Sequence, residues 1–208
     1  ERRQTSVAIP SLIKTSGTQT SIVPICFNTG GLWDMANGNF LTRYDGSGFI
    51  INGGISPTNG LGGRYERFKS TIAISMVIQS MERYPGSELY LYDTEYSHTD
   101  RRRLASFSTL YLEDPVRREQ HILELMERII IKNPSDFQNI DEFMAFINDE
   151  VIKPKDEKRK LFMIPTPLIN EQTHKQRMEL APTFVIIDSW SAGKTKADMQ
   201  AASEPDAS

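Results

Sequence analysis

Residues 70–84 run without Gly or Pro, and Ile72, Ile74, Met76, Val77, Ile78 and Met81 make them apolar on most sides. That pattern predicts a helix held in a covered layer, stopped by Pro85-Gly86. Residues 88–92 follow at once, apolar and aromatic, and predict a buried strand that ends in Asp93-Thr94-Glu95. Asp114-Pro115 predicts an N-cap with proline at the first helical position. Ile122, Leu125, Met126, Ile129 and Ile130 then extend helical spacing over 116–132, up to Asn133-Pro134. Residues 141–151, with Phe143, Met144, Phe146, Ile147 and Val151, predict an amphipathic helix. The charged run 153–160 reads as a solvated turn, and 161–164 as a short strand broken by Pro165 and Pro167. The apolar residues 183–187 predict a further strand, ending in Asp188-Ser189. Helices that alternate with apolar strands define an α/β fold with a mostly parallel central sheet flanked by helices.

At 208 residues and 38% hydrophobic content, the chain can bury one sizeable core. The formal net charge of −3 excludes a global basic field for holding nucleic acid. The short basic runs are Arg101-Arg102-Arg103 and the 153–160 turn. The single cysteine, Cys26, has no intrachain partner, which suits a reducing, cytoplasmic setting and a packed rather than reactive thiol. No apolar run approaches the roughly 20 residues of a spanning helix, so no membrane partner is expected. His98, His121 and His174 lack metal-ligand spacing; His98, three residues after Glu95, is a candidate neighbour of a ligand there.

The chemistry concentrates in Gly63-Arg64-Tyr65-Glu66-Arg67-Phe68-Lys69-Ser70-Thr71. Gly63, Lys69 and Ser70 stand in register with the phosphate-binding pattern G-x-x-x-x-G-K-[ST], while Phe68 takes the second glycine's place. In such a loop, successive backbone N–H groups surround an anion. The following helix adds its unpaired N–H groups and the positive end of its dipole. Lys69 would reach the β- and γ-phosphates of a nucleotide, and the Ser70 hydroxyl would ligate Mg²⁺. Arg64 and Arg67 would touch phosphate or point to solvent. Two strand-terminal acidic groups complete the pattern. Asp93-Thr94-Glu95 sits where α/β sheets bind ligands, and Asp188 sits where a carboxylate supports the Mg²⁺. The strand expected before the loop, 48–53, is separated from Gly63 by residues 54–62, a long spacing.

With these residues the chain resembles the RecA-type recombinases, and most closely their bacteriophage (UvsX-type) branch. There the loop also reads Phe-Lys-[Ser/Thr], and Tyr92-Asp93-Thr94-Glu95 is similar to the strand end that follows. The resemblance spans roughly 31–193 and rests on three short motifs. It implies a RecA-like P-loop NTPase core that binds ATP and Mg²⁺. Glu95 would activate the attacking water, Lys69 and Ser70 would hold phosphate and metal, and Asp188 would support the metal. It also implies a homo-oligomeric filament on single-stranded DNA, acting in recombination and repair within a host cytoplasm.

In that resemblance, residues 1–30 are an N-terminal arm, with the 9–13 segment suited to packing on a neighbouring protomer, or a loose tail. Residues 133–180 form an insertion, and 194–208 a disordered or truncated tail. The family's core continues for several strands beyond Asp188 and carries its DNA-contacting loops there. About twenty residues follow Asp188 here, so the core is expected to be incomplete at its C-terminal end and no DNA-binding residue can be named. Two other readings stay open: a hexameric replicative helicase of the same superfamily, and a catalytically weak structural or regulatory paralogue.

Overall fold

The computed structural model describes residues 33–34, 39–40, 68–107, 114–170 and 172–203. The expected strand at 48–53, the N-terminal arm and Cys26 lie outside these residues. The chain divides into two compact units, residues 1–62 with 166–177 and residues 63–165 with 178–208. In the first unit, β1 (Trp33–Asp34) pairs antiparallel with β2 (Asn39–Phe40), Trp33 opposite Phe40.

The second unit holds a parallel sheet of three strands, β3 (Glu88–Asp93), β4 (Ile129–Lys132) and β7 (Thr183–Asp188), in the order β4-β3-β7. Helices flank it: α1 (Lys69–Arg83), the short α2 (Arg101–Ala105), α3 (Pro115–Glu127) and α4 (Ile140–Phe146). The expected α/β fold with a parallel sheet between helices is therefore present. Along β3 the side chains alternate between faces. Tyr92 stacks on Phe143 of α4 at 4.8 Å between centroids, and Tyr90, Val185 and Ile187 pack against the same cluster. Leu89 and Leu91, fully buried, point the other way. In α1 the buried apolar residues are Ile74, Met76, Val77, Ile78 and Met81, with Tyr84 buried just past its end, a face broad enough for the covered layer its apolar sequence predicts.

Local chemistry explains the boundaries. The Asp114 carboxylate accepts from the N–H of Val116 at 2.9 Å, with Pro115 at the first helical position, as expected for α3. Asn139 caps α4 by accepting from the N–H of Glu142 at 2.9 Å. The half-buried Arg128 donates from Nη1 to the carbonyls of Met81 and Ser87, satisfying acceptors at the C-terminal end of α1 and in the turn behind it.

Five expectations need correction. The helix expected over 116–132 ends at Glu127. Ile129–Lys132 form β4 instead, because three consecutive β-branched residues suit a strand beside β3 better than a helix. The helix expected over 141–151 runs on from α4 through a π-helical stretch (Ile147–Ile152) into α5 (Lys153–Glu157). The supposed solvated turn is therefore helical through Glu157, with a 3₁₀ turn at Arg159–Leu161. Within it Lys155 is buried; its amine donates to Thr183 Oγ1 at 3.0 Å, and burial lowers its pKa. Strand β5 (Met163–Ile169) passes through both prolines and forms a two-stranded sheet with β6 (Gln176–Leu180). Residues 196–203, predicted to be part of a disordered tail, form α6 (Lys196–Ser203).

The Tyr92–Phe143 stack is the centre of its cluster, with Phe137 5.7 Å from Phe143 and the Tyr92 hydroxyl donating to the Phe137 carbonyl at 2.8 Å. Phe143→Ala should destabilise the fold by about 3–5 kcal/mol. Urea unfolding followed by circular dichroism would show this as a lower midpoint at unchanged slope.

Candidate functional site

The N-terminal end of α1 begins at Lys69, with Phe68 as its N-cap residue. Phe68 has φ 55° and ψ 23°, the left-handed conformation that glycine adopts without a steric cost. Its side chain is 76% exposed and caps nothing. The motif's glycine position thus has a backbone reason here, and phenylalanine adopts the required geometry against its own preference. Lys69 and Ser70 are half-buried and Thr71 is exposed. Gly63, Arg64, Tyr65, Glu66 and Arg67, the rest of the predicted loop, lie outside the described residues.

Parallel pairing places Asp93 of β3 opposite Asp188 of β7, so both strands end at one edge of the sheet. The two carboxylates then do different work. Asp93 is 1% exposed and accepts from the backbone N–H groups of His98 (2.6 Å) and Glu95 (3.3 Å) and from Ser97 Oγ (3.3 Å). It organises the loop after β3. Asp188 stays partly exposed. Its Oδ2 lies 2.8 Å from Nε2 of His98. His98, then Ser70, and the nearby Lys69 charge hold its carboxyl below the usual carboxylate range against the opposing effect of burial. An ionised acceptor places the proton on His98 Nε2.

Glu95 is joined to the same edge through Ser189. Ser189 Oγ donates to Glu95 Oε1 at 2.8 Å, and the N–H of Ala192 donates to Ser189 Oγ at 3.3 Å. Thr94 ties the two strand ends together: its N–H donates to the Asp188 carbonyl at 2.8 Å, and its hydroxyl bonds both the carbonyl and the N–H of Ser189. The Asp188–Ser189 peptide is cis. Lys69, Ser70, Asp188 and Glu95 therefore gather at the carboxyl edge of the sheet, where α/β folds bind ligands. Tyr96 also has positive φ, 56°, and is exposed beside Glu95.

Asp93, Ser189 and the His98–Asp188 contact are the parts of this edge that sequence reasoning did not assign. His98 carried a signal, its spacing from Glu95. Ser189 carried only its place after Asp188. The Arg101-Arg102-Arg103 run stands apart from a phosphate role at Arg102, whose guanidinium pairs with both oxygens of Glu119 at 2.6 Å.

Among the described residues, no three His, Cys, Asp or Glu side chains cluster as a metal site, and no helix is long and apolar enough to cross a membrane. One hydroxyl and one carboxylate still suit Mg²⁺, which takes few protein ligands and completes its shell with water and substrate phosphate. The Ser70 hydroxyl acts on the Asp188 carboxylate closely enough to lower its pKa, so the two lie near each other. Comparisons with known protein families, with curated proteins and with solved structures give no match.

Two predictions follow from this geometry. Phe68→Gly should be more stable than Phe68→Ala by about 1 kcal/mol, because only the glycine relieves the left-handed backbone. Chemical denaturation of both variants would measure this, and equal stabilities would contradict it. The depressed Asp188 carboxyl contributes stability present above its ordinary range, about pH 4, and lost as pH falls through its lower folded value. The melting-temperature gap between wild type and Asp188→Asn should therefore narrow in strong acid. A gap that widens there would reverse the sign.

Proposed function

We propose that the chain is a P-loop ATPase of the RecA type that binds ATP and Mg²⁺ and works on single-stranded DNA as a homo-oligomer in recombination. The observation that carries this reading is the meeting of Ser70 at the start of α1 with Asp188 at the end of β7, beside the Lys69 charge. A hydroxyl from the loop–helix junction and a strand-terminal carboxylate are the pair that phosphoryl-transfer sites bring together. The recombination role is supported by the resemblance of residues 92–95 and of Phe68-Lys69-Ser70 to the bacteriophage branch of the family.

In this reading Lys69 and the first backbone N–H groups of α1 hold phosphate oxygens. Ser70 and Asp188 hold Mg²⁺, which would offset charge on the phosphates when bound. Glu95 orients the attacking water, and Ser189 fixes Glu95 by donating to its Oε1. The exposed position of Glu95 gives water access to it.

Phosphate release from ATP, measured with and without single-stranded DNA, tests the proposal. Glu95→Gln should lower turnover by about a hundredfold or more while keeping nucleotide binding. Lys69→Ala should weaken binding itself. Unchanged turnover in Glu95→Gln would remove Glu95 from the mechanism.

A further inference from the structure

His98 is engaged by both strand-end carboxylates, through its backbone N–H by Asp93 and through its ring by Asp188. Asp93, buried and fixed, takes the backbone N–H of His98 at 2.6 Å. The ring then reaches across the β3–β7 pair, and Nε2 lies 2.8 Å from Asp188 Oδ2. The His98 side chain is 17% exposed and that of Asp188 21%, so little water competes for the contact. A carboxylate held at one oxygen by a fixed donor has its plane and rotamer set. Ser70, whose hydroxyl also lowers the pKa of this carboxylate, lies beside it.

We propose that His98 is a positioning residue for the cation site: it holds the Asp188 carboxylate in the orientation in which Asp188 and Ser70 together receive Mg²⁺ with the nucleotide. The proposal rests on the nucleotide-site reading above. His98 touches neither phosphate nor the attacking water; it acts through Asp188, as outer partners of metal-binding side chains do. Asp93 is the second support, because its hold on the His98 backbone fixes where the ring begins.

The test uses the full chain and a fluorescent ATP analogue, titrated with Mg²⁺ at fixed nucleotide. His98→Ala should raise the Mg²⁺ concentration for half-maximal binding about tenfold or more. Binding of the analogue without Mg²⁺ should be unchanged. His98→Leu, which keeps the bulk of the ring without a donor, should behave the same and serves where the alanine variant does not fold. His98→Gln, which keeps an N–H donor, should return the midpoint to within about threefold of wild type. A purely structural role would lower the melting temperature of the variants and leave the Mg²⁺ midpoint in place, and that result overturns the proposal. Wild type that binds no nucleotide at any Mg²⁺ concentration overturns both this proposal and the site reading beneath it.

Discussion

The pairing of β3 with β7 is the constraint on which the rest depends. It runs in register from Glu88 opposite Thr183 to Asp93 opposite Asp188, so two acidic residues more than ninety positions apart in sequence end level at one edge. Thr94 locks that end by bonding the backbone of Asp188 and Ser189. A slip of one residue would turn every β7 side chain to the opposite face and carry Asp188 away from Ser70 and His98. The two faces of the pair are held differently. Tyr90 and Tyr92 meet the aromatic side of α4, while Leu89 and Leu91 enter the opposite layer. Core packing therefore sets the register, and the register sets the site.

Like charges at one edge raise a physical difficulty that the site resolves by dividing labour. Asp93 is almost wholly buried but is met by two backbone N–H groups and a hydroxyl. Burial costs a carboxylate little once its oxygens are so fully bonded. Asp188 stays partly exposed and is met by His98 and Ser70. One carboxylate builds the loop and the other stays partly exposed at the strand end. Glu95, between them in sequence, is carried outward and steadied through Ser189.

Much of this was legible in the chain. The α1 pattern, the β3 and β7 strands and the Asp114-Pro115 start of α3 follow from local rules of periodicity and capping, and those rules held. The errors share a cause. At Ile129 to Ile131 helical spacing and β-branching point in opposite directions, and the vacant strand position beside β3 decided between them. At Lys155 a charged residue reads as solvent-facing, and only the fold brings Thr183 within reach of its amine. The site divides the same way. Lys69, Ser70, Glu95 and Asp188 announce themselves by motif; the spacing of His98 from Glu95 hinted at its place, but its contact with Asp188 and the hold of Asp93 on the loop are encoded by no spacing rule. Phe68 looked like a defect in the motif. Its left-handed backbone shows that the position keeps the geometry of glycine without the residue.

The central claim is that Ser70 and Asp188 form one half of a Mg²⁺–nucleotide site. Calorimetric titration of the full chain with a slowly hydrolysed ATP analogue tests it most directly. Wild type should bind one equivalent with an affinity that depends on Mg²⁺. Ser70→Ala and Asp188→Ala should each lose that dependence while remaining folded by circular dichroism. Mg²⁺-dependent binding that survives both substitutions, or no binding by the wild-type chain, would contradict the account.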